Sequence, residues 1–381
     1  GNALTRDELD FVGQMPGLFI HTVSTGSTRR LTDPETVAMA GVPPQLHGGA
    51  VVAAVDADGA TRIVRVALDA AEISFDELEF LTDDTTVVNG FDIDDDTLVF
   101  TGSTPQSPAV LGRIALRGRA ESGTASVMGD TVIVKEHPAP ANSVLPQVLR
   151  VPGVSGTITG WLAKPHGDGP FPVILNIHGG PFAQYTHSWF DETQVLTSAG
   201  YAVVFSNPRG SGGRTRSWGT AVQGDMAQPA MDDVLAVLDH ALESDPSLDR
   251  SRLGIQGGSY GGYLTAMTIA ADQRFRAAIV ERGYLDPDSF VGTSDIGRFF
   301  TEEYTSRSRE AIAAQSPLAH APQVGTPTLV MHSELDLRCP LEQAQQYYAA
   351  LQRVGVDTEM LIFPGENHEL SRAGQPRHRR Q

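Results

Sequence analysis

The chain has 381 residues, 40% of them hydrophobic and 19% charged, which is enough apolar material for two globular cores. Its 46 acidic residues against 28 basic ones give a net charge of −18, which repels nucleic acid and anionic membrane surfaces and serves solubility. The single cysteine, Cys339, excludes an internal disulfide framework and thiolate metal clusters.

Residues 1–10 carry neither the basic nor the apolar region of a secretory signal, and no apolar run reaches membrane-spanning length. A cytoplasmic, reducing setting is therefore expected. Gly1 is not Met, so the natural N-terminus and any signal on it are left open.

Residues 17–148 read as short alternating strands punctuated by Gly, Asp and Pro. A strand over 18–23 leads to Leu31-Thr32, and one over 61–68 leads to Leu81-Thr82. The two Leu-Thr endings lie about 50 residues apart, a spacing found among propeller blades. A third unit comprises strands over 92–100 and 110–116, with Asp94-Asp95-Asp96 as an acidic hairpin turn in preference to a cation site. Three units fall short of the four to eight blades that usually close a propeller, and an open arc would leave edges unpaired. The expectation is the C-terminal part of a longer protein, with the missing blades on a preceding segment or on a companion fragment.

The character changes near residue 149. A strand over 158–162 is followed by continuous apolar strands at 173–177 and 202–205, as in a parallel sheet covered on both faces. Helices are predicted over 193–199 and 232–243, and further strands at 277–280, 328–331 and 359–363. This alternation predicts a partial β-propeller over 1–148 and a doubly wound, mostly parallel α/β domain over 149–381.

Within that domain Gly257-Gly258-Ser259-Tyr260-Gly261-Gly262 follows a short apolar strand and precedes a helical run. A G-x-S-x-G in a strand–turn–helix setting is a nucleophile elbow, whose small flanking residues let the helix pack close to the strand. Ser259 is the candidate nucleophile. An α/β-hydrolase supplies its acid and then its histidine later in the chain, in loops after strands. Four of the eleven histidines lie downstream: His320, His332, His368 and His378. His378 sits in a basic tail expected to fray. His368 follows a strand and the turn Pro364-Gly365-Glu366-Asn367, where a base should hang over the strand ends. Glu334 and Asp336 both follow the preceding strand as candidate acids; Asp336, further past its end, is better placed for a turn to aim at His368. One oxyanion donor should be the N–H of Tyr260, and the other should come from His178-Gly179-Gly180-Pro181 after the strand at 173–177. His178 precedes the serine and reads as a packing residue.

His178-Gly179-Gly180-Pro181, Asn207-Pro208-Arg209-Gly210-Ser211, the elbow, Glu334-Leu335-Asp336-Leu337-Arg338-Cys339-Pro340 and Pro364-Gly365-Glu366-Asn367-His368 together resemble the prolyl oligopeptidase family, closest to its acylaminoacyl-peptidase and dipeptidyl-peptidase-like branch. The resemblance implies a propeller capping the active site and a triad of Ser259, Asp336 and His368. It also implies oxyanion donors on Tyr260 and Gly180, with Gly179 as the alternative, and no metal or cofactor. Tyr284, Phe290, Phe299 and Phe300 fall where the family often builds its specificity pocket, although ordinary core packing explains each equally well. Gly224-Asp225-Met226-Ala227-Gln228-Pro229 departs from the family's Gly-rich pattern. The function implied is a serine peptidase acting on short peptides from their N-terminus. An esterase or amidase for a small molecule could use the same triad, and an inactive propeller-based binding protein is the rival of another class. A homo-oligomer is compatible with all of these.

Overall fold

The computed structural model describes residues 11–116 and 131–380; the signal reading of residues 1–10 lies outside them. Eight strands build the α/β sheet: Gln147–Gly153 (β1), Gly156–Ala163 (β2), Phe171–Ile177 (β3), Ala202–Asn207 (β4), Leu248–Gly258 (β5), Phe275–Glu281 (β6), Thr328–Ser333 (β7) and Thr358–Phe363 (β8). Their spatial order is β1-β2-β4-β3-β5-β6-β7-β8. β2 runs antiparallel to both its neighbours, and the pairs from β4 onward are parallel. β1 begins at Gln147, just before the predicted boundary at 148/149.

Burial explains why the strands are apolar. Val173, Leu175, Ile255, Ala278, Val280 and Val330 face a core closed by three helices, Gln228–Ser244, Tyr260–Ala271 and Leu341–Arg353. The helix Gln228–Ser244 buries Met231, Val234, Val237, Leu238 and Ala241 at helical spacing. It starts four residues before the predicted 232, because Pro229 suits the first turn and the Asp225 carboxylate accepts the Gln228 N–H at 3.0 Å. The opposite face differs from expectation. The helix Asp191–Ser198 covers it near β4, but Leu361 on β8 is left 37% exposed, and Ile174, Ile279, Leu329 and Met331 are only half-buried.

The N-terminal half holds a two-stranded ribbon, Phe19–Thr22 with Ser27–Arg30, and a nine-stranded sheet. That sheet consists of two antiparallel groups joined at the single bridge Thr61–Val87. One group is built on Ala50–Ala57 and Ala60–Ala67, the other on Val87–Asp94, Thr97–Thr104, Ser107–Ala115 and Val132–His137. Val52 and Ile63 of the first group pack on Leu98, Phe100 and Ile114 of the second, while Val51, Val64 and Val66 on its other face meet Ile20 of the ribbon and Leu31 just after it. The three predicted units therefore stack as layers, though the first is only a ribbon and the strand Ala50–Ala57 was not read from the sequence. Both Leu-Thr endings do the same work. Leu31 and Leu81 fill the two interlayer cores. The hydroxyls of Thr32 and Thr82 accept the backbone N–H groups of Leu18 and Ile63 at 3.1 and 3.0 Å.

The two halves touch. Asp58 accepts from Arg150 and from the Thr159 hydroxyl of β2 at 2.5 and 2.8 Å. The Gly59 carbonyl accepts from the His187 N–H at 2.7 Å, and a Cβ on Gly59 would stand 3.0 Å from the Trp161 ring.

In the α/β core a Cβ on Gly261 would fall on the Ile177 carbonyl. Gly261→Ala should therefore cost about 3 kcal/mol by overpacking and lower the Tm by several degrees. Gly41→Ala, where the added carbon meets nothing within 4 Å, should leave the Tm nearly unchanged in the same thermal-denaturation series.

Candidate active site

Ser259 sits at the turn between β5 and the helix Tyr260–Ala271, at φ 61° and ψ −120°. This is a sparsely populated backbone region for a residue with a side chain, at a cost of order 1–3 kcal/mol. Its neighbours show why the turn persists. A Cβ on Gly257 would lie 2.5 Å from the Gly261 carbonyl oxygen and 2.7 Å from that of Ile177, and one on Gly262 would lie 2.6 Å from the Glu281 carbonyl oxygen. Strand, helix and adjacent strands meet backbone to backbone, and the Ser259 N–H donates to the Glu281 carbonyl at 2.9 Å.

The loops after β7 and β8 bring the other groups in. His368 Nε2 lies 3.1 Å from Ser259 Oγ, and its Nδ1 lies 2.7 Å from Asp336 Oδ2. Asp336 is buried, and its Oδ1 accepts the backbone N–H groups of Arg338 and Cys339, each at 2.9 Å. A carboxylate so bonded orients the ring with Nδ1–H toward itself and leaves the Nε2 lone pair for the serine hydroxyl. Glu334 does something else: its Oε2 accepts the Gly365 N–H at 2.8 Å, tying the acid loop to the histidine loop.

The remaining downstream histidines are occupied elsewhere. His332 is buried and donates from Nε2 to the Cys339 carbonyl at 2.7 Å; burial lowers its pKa. His320 bonds the Ala314 carbonyl at 2.9 Å. His378 does not fray as expected. Its Nδ1 lies 2.5 Å from Glu366 Oε1 and its ring packs on Phe363, so the tail folds back over the loop that carries His368.

On the other side of Ser259 lies the loop after β3. A Cβ on Gly179 would stand 3.3 Å from Ser259 Cβ, and Gly180 has φ +135°, which a side chain rarely adopts. The Tyr260 N–H belongs to the first helical turn, where it has no acceptor within the helix. His178 packs here, with Nδ1 on the Gly179 carbonyl at 2.6 Å and Nε2 on the Ser211 hydroxyl at 3.0 Å. Burial pulls its pKa down to about 4.

Ser259 and His368 open onto a cavity of about 1100 Å³ that Tyr284, Phe290, Phe299 and Phe300 also line. Tyr284, Phe290 and Phe300 are buried, whereas Phe299 is 36% exposed. Each of these aromatics thus packs and faces the site. Sequence reasoning missed Met226 and Arg282, which line the same space. Met226 belongs to the segment that departs from the family pattern; its carbonyl accepts the Tyr260 hydroxyl at 2.6 Å and its N–H donates to Gln315 Oε1 at 2.9 Å, which pins that loop. Arg282 pairs with Glu281 and reaches the Ser371 hydroxyl at 3.0 Å, bracing the elbow against the segment after His368. Nothing in its sequence context marks it out.

Residues 187–381, more than half of the chain, match the prolyl oligopeptidase family. The chain belongs to this family. The uncharacterized peptidase YuxL of Bacillus subtilis is 39% identical over 302 residues, which are 77% of this chain and 45% of that protein. The acylamino-acid-releasing enzyme of Arabidopsis thaliana is 35% identical over 213 residues, 53% of this chain and 28% of the enzyme. Among solved structures, the acylaminoacyl peptidase of Pyrococcus horikoshii matches with a TM-score of 0.81 at 27% identity, over 96% of this chain and 57% of that one. An acylaminoacyl peptidase in complex with Z-Gly-Gly-Phe-chloromethyl ketone matches with a TM-score of 0.80, also at 27% identity, over 96% of this chain and 57% of that one. The chain thus spans from about a quarter to somewhat over half the length of these relatives, and their fold identifies the sheet as that of an α/β-hydrolase.

Two outcomes are expected from this geometry. Asp336→Asn should lower kcat by roughly 10⁴ through the wrong imidazole tautomer, while Glu334→Gln, which keeps an acceptor for Gly365, should change it little; the reverse ranking would exchange their roles. Folded His178 stays neutral down to about pH 4, whereas its unfolded side chain takes a proton near 6.5. The stability due to its burial is therefore full above pH 6.5 and lost as the pH falls toward 4. Across that window the parent protein should lose about 3 kcal/mol more than His178→Gln in urea unfolding.

Proposed function

We propose that this chain is the catalytic part of a serine peptidase that hydrolyses short peptides from their N-terminus, in the manner of acylaminoacyl or dipeptidyl peptidases. The observation that carries the reading is the continuous hydrogen-bond line from Ser259 Oγ through His368 to Asp336. Ser259 attacks the scissile carbonyl as His368 Nε2 takes its proton. Asp336, held by two backbone N–H groups, stabilises the imidazolium. The oxyanion forms against the N–H groups of Tyr260 and Gly180, aimed where charge develops. His368 then protonates the leaving amine, and water repeats the sequence on the acyl-enzyme. None of these steps calls for a metal or cofactor.

The names of the relatives support peptides as substrates. The stacked layers of the N-terminal half support the reading of its described strands, within the predicted 1–148, as consecutive blades of a larger propeller that restricts the cleft to short chains, whereas Val12 packs in the α/β core. The bond from the His187 N–H to the Gly59 carbonyl, between the N-terminal sheet and the segment after the Gly179-Gly180 turn, supports this reading. The protein is also proposed to work in the cytoplasm.

A fluorophosphonate probe should label Ser259 and leave Ser259→Ala unlabelled, with turnover abolished and the Tm unchanged. A panel of N-acyl-amino-acid anilides, free-amino dipeptide anilides and short acyl esters then reads the substrate class. Turnover by Ser259→Ala would refute the nucleophile, and activity confined to the esters would refute the peptidase.

A further inference from the structure

The first described residues, 11–15, lie before the N-terminal sheet in sequence, yet they are packed against the α/β domain. Val12 is 1% exposed within the core that contains Tyr260 and Phe300. Gly13, at φ +62°, lies so close to the helix Arg216–Gly219 that a Cβ there would stand 2.7 Å from Thr220 Cγ2. Beyond this clamp the segment passes to the sheet: the Met15 carbonyl accepts from Arg30 at 3.3 Å and that of Pro16 from the Met39 N–H at 3.4 Å. It is a strap between the two halves, anchored at both ends.

Phe11 is the first described residue of this strap, its ring edge-on to Phe299 at 5.2 Å and to Tyr304 at 5.5 Å. From Tyr304 the rings continue through Phe300 (4.8 Å), Tyr284 (5.5 Å) and Tyr263 (5.6 Å) to Tyr260 (5.8 Å), the residue after the nucleophile. Phe11 also lines the cavity onto which Ser259 opens. Along this wall the Tyr284 hydroxyl is shared with the Thr301 and Thr305 hydroxyls at 3.1 and 3.2 Å and the Tyr260 hydroxyl donates to the Met226 carbonyl at 2.6 Å, while the Tyr263 hydroxyl is buried without a partner. The row itself offers aromatic faces and edges, which suit a large apolar or aromatic side chain; charged side chains such as Glu281, Arg282 and Arg338 also line the cavity.

We propose that Phe11, supplied by a strap outside the α/β domain, forms a wall of the pocket that receives the acyl residue's side chain and sets a preference for an aromatic one. The proposal rests on the peptidase reading above. Because the strap is pinned to both halves, the same residue links the seating of the N-terminal sheet to the shape of the pocket.

The test compares kcat/KM for phenylalanyl and alanyl p-nitroanilides, carrying the blocked or free amino end that the panel selects, in the 381-residue chain and its Phe11→Ala, Phe11→Leu and Phe11→Trp variants. Every protein is first labelled with the fluorophosphonate, so that only variants with an assembled triad are compared. Phe11→Ala and Phe11→Leu should each lower the phenylalanyl-to-alanyl ratio roughly tenfold, as expected when a ring contact in an apolar pocket is lost, and Phe11→Trp should retain a ratio well above theirs. An unchanged ratio in a labelled Phe11→Ala or Phe11→Leu protein overturns the proposal and leaves the peptidase reading standing. Failure of the parent chain to label overturns the peptidase reading itself, and this inference with it.

Discussion

The site depends on a backbone approach with no room for side chains. Gly257 and Gly261 face the Ile177 carbonyl, and Gly262 faces that of Glu281, so β3, β5, β6 and the elbow helix interlock at their closest possible distance. The helix itself is buried at every position from Tyr260 to Ile269, as expected for one embedded in a core and not laid on a surface. Such packing resists relaxation. It holds Ser259 at a positive φ that an isolated turn would shed, and the strain is borne by contacts far more numerous than the turn itself.

Around that fixed point the two later loops are braced by acidic residues with separate tasks. Asp336 turns its carboxylate inward, to two backbone N–H groups of its own loop and to His368. Glu334, two residues earlier, ties its loop to Gly365. Arg282 completes the frame by joining Glu281 at the elbow to Ser371 beyond the histidine. Burial lowers the pKa of Arg282, while the nearby Asp336 charge pulls it back up. The loop that carries the imidazole is thus braced at three points, and Nε2 is held 3.1 Å from the Ser259 hydroxyl.

The N-terminal half meets the α/β domain through specific contacts. Asp58 and Gly59, at one hairpin turn, reach Arg150, Thr159, Trp161 and His187. The strap at residues 11–15 is clamped near Thr220. Further contacts join the halves where the Arg216 N–H donates to the Glu35 carbonyl at 2.8 Å and the Trp189 N–H to the Thr104 carbonyl at 2.9 Å, and an aromatic row runs from Phe11 to Tyr260.

Much of the α/β half was legible because its signals are local. Continuous apolar strands, the glycines of the elbow and the chain order of serine, acid and histidine follow from what neighbouring residues can and cannot do, and these pointed to Ser259, to His368 and to Glu334 or Asp336, with the family resemblance favouring Asp336. Assignments that needed partners far along the chain were harder. Glu334 and Asp336 look alike in sequence, and only the fold shows that one carboxylate meets a histidine and the other a glycine N–H. His378 reads as a loose tail until Glu366 and Phe363 are brought beneath it. The half-open face of the sheet, the anchoring of Met226 and the reach of Phe11 across to Phe299 and Tyr304 belong to tertiary structure alone. Periodicity tells which side of an element is apolar, but which distant segment covers that side, or leaves it open, is decided by packing in three dimensions.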